Sequence, residues 1–563
     1  MHKIFLAPTD CLRKLLVFHL PLFLLFLVAS CSNQGKMTDG DAKANVLSVL
    51  MHDDPYSLDP RSVRLLSNIT LSKHLFEGLL RETCTAEGVE LALAESYSVS
   101  ADNTCYTFQL KPTTWSNGDP LTAEDFKESW EQVILGLVPS VFHYAFMDIK
   151  NAKKALSGEV SRKEIGIYCP NKTTLVVQLD KPVPYFPKLL CLPAFSPVHK
   201  LWREQTDLSL PSSSKNMLIG NGPFVLKKRR AKQYLQLAKN PCYHEADQVK
   251  LSGIDIQIIP DVHTATLLFE NGKIDWQGPP WSDSLPLETS KCLTKQGKLQ
   301  RFDIAGTSWL IFNTKRYPFN NKKLRKALSL AIDRQLLVNT VLNGRGSTTF
   351  EILPPCLNPK GGFSSFYKEA PTTSETSDDQ QQSARKLFHE ALEELGLSPE
   401  EFKKFPLLFP ASGSVTPLIV QAISQQWKEV LGIHVPLQGL EFSVLQDKKH
   451  SGSFSLTIGD WMADFHDPMA FLSIFSSPFG VQPYVLDNPT FAALVTSIQK
   501  EEDELARAQL IERASSLLEN ESCVMPLYHH SFEFTLNKRL ANLKLSPLGT
   551  VDFKYSELQA NKE

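Results

Sequence analysis

Residues 461–468 read WMADFHDP and close a strand-like run, FSLTIGD (454–460). Asp464 therefore stands beside Trp461 and Met462, side chains large enough to strip water from a carboxylate. A charge in such surroundings needs an opposite charge or a set of hydrogen bonds. Two readings satisfy that need. Asp464 holds a cation that arrives from outside, or it caps the turn leading to Pro468, as aspartate before a short loop often does.

The other chemistry-bearing residues do not assemble into a catalytic pattern. No GxSxG nucleophile elbow occurs, and GNGPF (220–224) and GRGST (344–348) lack both the dinucleotide fingerprint and the P-loop lysine. HEAD (244–247) lacks the second histidine of a zinc-protease helix. His529 and His530 are neighbours, so on a strand they point to opposite faces and cannot share a metal. His466 and Asp467 are adjacent, and adjacent residues rarely face each other for proton transfer. Of the ten cysteines, none forms a CxxC pair, which removes support for zinc-ribbon or thioredoxin chemistry. One or two disulfides are compatible with the scatter, but spacing does not pair them. The expectation is a protein without catalytic residues, metal or cofactor, with a hydrolase or a surface adhesin as the weaker alternative.

Composition sets the compartment and the size. Lys3, Arg13 and Lys14 precede LLVFHLPLFLLFLVAS, and Cys31 follows. A basic start, an apolar core of about 15 residues and small residues before the cut describe a secretory signal. Val28, Ala29 and Ser30 before Cys31 resemble the lipobox of bacterial lipoproteins. That resemblance implies cleavage before Cys31 and a lipid on its sulfur. The polar stretch SNQGKMTDGDAKAN then reads as a tether. No later segment is long and apolar enough to span a bilayer. More than 500 residues remain, about three domains' worth of chain. A net charge of −2 with interspersed signs leaves no footprint for nucleic acid.

The elements that must position Asp464 can be read from periodicity. ANVLSVL (44–50), CYTFQLK (105–111), TTLVVQL (173–179), IDIQIIP (254–260) and WLIFNT (309–314) predict strands bounded by turn residues. LTAEDFKESWEQVILG (121–136) predicts a helix with a capping-box start at Thr122 and Asp125. It places Phe126, Trp130, Val133, Ile134 and Leu137 on one face. KKLRKALSLAIDRQLLVNTVLNG (322–344) predicts one helix ending at Gly344. ARKLFHEALEELG (384–396) and PLIVQAISQQWKEVLG (417–432) predict two more, and EAPTTSETSDDQQQS (369–383) an exposed loop. Mixed strands and helices without a fixed repeat predict an α/β fold.

Several phrases, in order, carry a family likeness: SLDP (57–60), LFEGL (75–79), LAESY (93–97), YTFQLK (106–111) and WSNGDPLTAEDFKESW (115–130). NGPFVL (221–226), PFNNKKLRKALSLAIDR (318–334), WKEVLGIHV (427–435), WMADFHDP (461–468) and VMPLYHH (524–530) continue it. The chain resembles the family 5 solute-binding proteins of ABC importers, the oligopeptide- and dipeptide-binding lipoproteins. The resemblance implies a class II periplasmic-binding-protein-like fold: two lobes with a hinge plus an extra domain, three domains in all. By that analogy residues 1–30 are the signal and 31–43 a lipid-anchored tether. Lobe I is 44–76, 204–304 and 532–563, domain II is 77–203, and lobe III is 305–531. The hinge candidates fall near Ala305 and Ser531.

The resemblance also assigns roles. Asp464 of the W-x-x-D turn is implied to pair with the α-ammonium of a bound peptide, with Trp461 and Met462 lining the same site. Backbone near Leu65–Ser67, Thr307–Trp309 and Ile458–Trp461 is implied to hold the peptide as an added strand, bringing in Leu66 and Trp309; Trp309 reads equally well as plain core. FHYAF (142–146) offers Tyr144 or His143. Arg64 stands where oligopeptide binders can carry an acid. The basic residues expected just before Trp461 are replaced by Ile458, Gly459 and Asp460, which leaves the carboxylate-holding positions open, with Arg64, Lys448 or Lys449 as candidate substitutes. The implied protein is a monomer anchored at Cys31, in the periplasm or on the outer face of the cell membrane. It delivers peptides to the membrane subunits of an ABC permease. Carriage of cell-wall peptides, nickel chelates or haem on the same fold is the alternative.

Overall fold

Alternating burial along Val46–Met51 (β1) marks a strand with one face in a core, and among the described residues that strand begins the first of three sheets of four or more strands. The computed structural model describes residues 45–83, 88–204, 218–357, 377–413, 415–476 and 484–559. The signal, Cys31 and the tether lie outside the described residues, as do Cys84 and residues 369–376 of the polar stretch. Among the described residues no helix is long and apolar enough to cross a membrane, and the seven described cysteines are unpaired.

After β1 the chain forms helix α1 (Leu66–Leu75) and leaves the first sheet. Ala94–Val99 (β2), Cys105–Leu110 (β3), Ile167–Asn171 (β4) and Thr174–Gln178 (β5) build a second, antiparallel sheet ordered β2-β3-β5-β4. Helix α2 (Ala123–Ile134) packs on it. Its start is the expected capping box, with the Thr122 N–H donating to Asp125 Oδ2 at 2.9 Å. Phe126, Trp130, Val133 and Ile134 are fully buried, but Leu137 is 64% exposed. The helix stops before Leu137 because Gly136 turns left-handed (φ 67°), which takes that leucine off the apolar face.

The chain then returns to the first sheet. Phe224–Arg230 (β6), Tyr234–Lys239 (β7) and Gly253–Ile258 (β8) complete it in the order β1-β8-β7-β6, with β1 parallel to β8.

The third sheet contains the longest strands. Gln300–Phe312 (β9), Leu407–Pro410 (β10), Leu437–Leu440 (β11), Leu456–Met462 (β12) and Val524–Leu536 (β13) lie in the order β13-β9-β12-β10-β11. β9 and β13 run antiparallel for 13 residues each, and Trp276–Gln277 extends the far end of β13. Their register breaks twice, between Asp303 and Thr307 and again between Ser308 and Trp309. Asp303 faces Ser531, but Thr307 already faces His529, so three residues of β9 oppose one of β13.

Helices α3 (Lys322–Leu330), α4 (Ser377–Leu395) and α5 (Thr416–Leu431) cover one face of this sheet. The single helix expected over 322–344 is two pieces. Asp333 caps a new start through the Leu336 N–H (2.8 Å), and buried Arg334 donates to the carbonyls of Ser329 and Pro526. That guanidinium fixes the break, because its partners lie on both sides of it. In the expected loop at 369–383, the last seven residues are helical, since α4 begins at Ser377. The sheet's other face shares one apolar cluster with the second sheet and with helix α7 (Glu504–Glu521), whereas helix α6 (Phe442–His450) leads into β12.

Candidate functional site

β12 ends in the W-x-x-D turn. Burial along it passes from closed to open, with Asp460 and Met462 exposed on one face. The turn lines a cavity of about 230 Å³, to which it contributes Met462 and Asp464. Arg64, Leu66 and Ile69 from the start of α1 line it too, with Phe142 and Leu192 from the 77–203 segment. Four of the residues expected from the sequence (Asp464, Met462, Arg64 and Leu66) are thus brought together from two distant stretches.

Tyr144 completes the group. Its hydroxyl donates to Asp464 Oδ2 at 2.8 Å, a contact between segments 320 positions apart. Tyr144 keeps 47% of its surface open. Burial pushes the Asp464 carboxyl above its ordinary range, and the hydrogen bond from Tyr144 only partly offsets this. Burial, and next the charge on Asp464, also push the Tyr144 hydroxyl well upward. Among the described residues the carboxylate thus has one neutral donor and no ion pair. The turn-capping role falls instead to Asp467, which accepts from the Met469 N–H at 3.0 Å.

Other expected residues sit elsewhere. The Trp461 indole N–H donates to the Ala470 carbonyl at 2.8 Å, so its ring is tied into its own segment. Trp309 is 2% exposed, with its ring packed against Phe471 and Phe475, and does not line the cavity. The backbone of Thr307–Trp309 is enclosed between β12 and β13, so it has no free edge. Ile458–Met462 does have one, because β10 pairs only with Leu456 and Thr457. Arg64 lies over the Tyr56 ring, 5.3 Å from its centroid. His143 bonds locally to the Ile134 carbonyl.

Further charged groups were not singled out from the sequence. Lys73 and Glu82 line the cavity as an ion pair at 2.8 Å, and Thr550 joins them from the far end of the chain. They carry no motif, and only the tertiary fold brings them near Asp464. Asp467 is fully buried, bonded to Arg507 at 2.7 and 3.1 Å and to Lys188 of the 77–203 segment at 3.1 Å. Burial alone would raise its carboxyl, but the two cations outweigh that and hold it well below the usual range. His529 and His530 do point apart. One meets Thr307 Oγ1 and the other reaches over Gly306 to Asp460, both at 3.0 Å. Among the described residues no His, Cys, Asp or Glu cluster has metal-ligand geometry.

Comparison with known proteins bears on the whole chain. The model of bacterial extracellular solute-binding proteins, family 5 middle, matches residues 88–483. The oligopeptide-binding protein OppA of Bacillus subtilis is 30% identical over 552 residues, 95% of this chain and 97% of that one. The periplasmic murein peptide-binding protein MppA of Escherichia coli is 28% identical over 518 residues, 90% and 92% of the two chains. The solved structure of the E. coli murein tripeptide-binding protein MppA matches with a TM-score of 0.74 at 25% identity, over 92% of this chain and 99% of that one. Haemophilus influenzae OppA in complex with RPPGFSPFR matches with a TM-score of 0.73 at 22% identity over 92% and 99%, a likeness of fold.

Proposed function

Because the chain belongs to the family 5 bacterial extracellular solute-binding proteins, we propose that it captures peptides in the cavity at Asp464. The observation that carries this reading is the Asp464 carboxylate, half-buried with a single neutral donor and, among the described residues, without a counter-charge. A peptide's α-ammonium supplies the missing charge and bonds where water is excluded, so binding and closure reinforce one another. The uncovered edge of β12 beyond Thr457 offers backbone groups that hold an extended chain regardless of its side chains.

The moving parts follow from the same reading. The first sheet forms lobe I, the second sheet domain II and the third lobe III. β9 and β13 cross between lobes I and III, and their register break at Ile304–Gly306 opposite His530 is the hinge. Cys31 carries a lipid that keeps the protein outside the cytoplasmic membrane as a monomer, where it passes its ligand to an ABC permease. Arg64 in the same cavity favours ligands with an added carboxylate, which is the case for cell-wall peptides.

Calorimetry with tri-alanine tests the site. Asp464→Asn weakens binding by about 3 kcal/mol or more, the cost of removing one member of an enclosed charge pair, and acetylating the peptide's amine does the same to the wild type. Unchanged affinity in both experiments removes Asp464 from the site. Cys31→Ser leaves the precursor uncut and unlabelled by radioactive fatty acid; normal labelling refutes the anchor.

A further inference from the structure

The GRG loop (344–346) is fixed at both ends to the part of the chain assigned above to lobe III. Before it, the Gly344 and Arg345 N–H groups donate to the carbonyls of Val338 (2.9 Å) and Leu342 (3.1 Å). After it, Ser347 and Thr348 pair with His529 and Tyr528 of β13. The Arg345 side chain reaches the other way. Its guanidinium donates to Glu533 Oε2 at 2.7 Å, to Ser290 Oγ at 2.9 Å and to the Leu285 carbonyl. All three acceptors belong to segments assigned to lobe I.

Glu533 is gripped from both sides of the boundary. Its side chain is 1% exposed, and Arg301 of β9 donates to its other oxygen, Oε1, at 2.9 Å. Arg301 also donates to the Asn343 carbonyl at 3.2 Å, back into the loop. The two guanidiniums come from opposite sides of the register break between Asp303 and Thr307. Glycine on each side of Arg345 permits the approach. Gly344 and Gly346 have φ of 79° and 88°. A Cβ at Gly346 would lie 2.3 Å from the His529 carbonyl oxygen, and one at Gly344 would lie 3.2 Å from Arg301 Nη2. Beside the break, the Gly346 N–H donates to Ser531 Oγ at 2.7 Å.

The place of the loop in the sheet gives these contacts their effect. Ser347 and Thr348 border β13 on the edge away from β9, and the W-x-x-D turn follows β12 on the other side of β9. The crossing strands therefore stand between the loop and the cavity. Rotation about the break carries Glu533, Ser290 and Leu285 past the backbone of Arg345. The three bonds are made in the arrangement in which Tyr144 meets Asp464. They are directional, so a turned lobe weakens them.

We propose that Arg345 is a latch on the far side of the hinge: its bonds to Glu533, Ser290 and Leu285 favour the arrangement that encloses the cavity. Arg345 is a positioning residue, which sets how long a ligand stays without touching it. This rests on the hinge reading above and names the side chain that biases the hinge.

Stopped-flow dissociation of tri-alanine and small-angle X-ray scattering, with and without that peptide, test the latch. Arg345→Met leaves Glu533 paired with Arg301, so no buried charge is orphaned. The variant releases tri-alanine about 10-fold faster, the weight of a charge-assisted hydrogen bond. Its association rate stays near the wild type's, and its ligand-free radius of gyration is larger. Arg345→Lys, a point charge in place of the fork, falls between the two. Far-UV circular dichroism establishes that both variants are folded. Contraction of the wild type on binding, with Arg345→Met matching it in radius and rates, overturns the latch alone. Binding without contraction in both proteins overturns the hinge as well. If the wild type does not bind tri-alanine, the peptide reading falls and the ligand-free radius decides. A larger radius in Arg345→Met then supports the latch, and an equal one overturns it.

Discussion

At the residue scale burial perturbs two charged groups, Asp464 after β12 and Lys449 before it, in opposite senses. Asp464 is pushed up and Lys449 down, each toward its neutral form. Burial disfavours the charged form of each, and an opposite charge nearby restores it. The sign for Asp464 sets a pH dependence. A peptide's ammonium requires the charged carboxylate, so affinity is full above the raised pKa of the unliganded protein and is lost as pH falls through it. The loss begins at a higher pH than an ordinary aspartate would give, and above the range in which a peptide's own carboxyl titrates. Titration calorimetry from pH 7 to pH 4 should show this fall in the wild type and a flat profile in Asp464→Asn. Lys449 makes a complementary prediction about stability. Lys449→Met removes a largely buried charge that has no ion pair among the described residues, so the ligand-free variant should gain about 1–3 kcal/mol in denaturant unfolding. Destabilisation of similar size would mean that the ammonium has a native partner.

At the element scale the first register break between β9 and β13 depends on Gly306. A Cβ there would come within 3.1 Å of His530 Cδ2 and 3.2 Å of Met462 Cγ, so the bare backbone is what lets His530 cross to Asp460. Gly306→Val should break that bond and cost about 1–3 kcal/mol through overpacking, with the His530 ring resonances moving in the NMR spectrum. A variant with unchanged stability and resonances would show that the crossing tolerates bulk. The same strands mark where sequence reading reaches its limit. WLIFNT revealed only the apolar half of β9, because the first residues of that strand, QRFD, are largely exposed and polar and are recruited by pairing with β13. The helix expected over 322–344 kept its periodicity across a break that only buried Arg334 explains. The capping box of α2 was legible because its chemistry is local. The site divides in the same way. Asp464, Met462, Arg64 and Leu66 could be named from motif positions, whereas Lys73, Glu82 and Thr550 have no local signature.

At the scale of the whole molecule the question is what holds the 77–203 segment against the third sheet when no ligand is bound. Three contacts cross that boundary around the W-x-x-D turn. Tyr144 bonds Asp464, Tyr185 stacks on Phe465 with centroids 5.4 Å apart, and Lys188 reaches Asp467. The first is a weak hold, since it encloses Asp464 without a counter-charge. The third is different, because Asp467 is already paired within its own segment by Arg507. Lys188 therefore adds a second cation to a satisfied carboxylate, and separating the surfaces leaves no orphan acid behind. Such a contact biases closure without locking it. Lys188→Met should shift the ligand-free protein toward the open form and weaken tri-alanine binding a few-fold, about 0.5–1 kcal/mol, mainly through faster dissociation. Raising the salt concentration should weaken the wild type toward the variant, while the variant itself changes less. Stopped-flow dissociation at low and high salt measures both, and identical rates in wild type and variant at low salt would remove Lys188 from the closing surface.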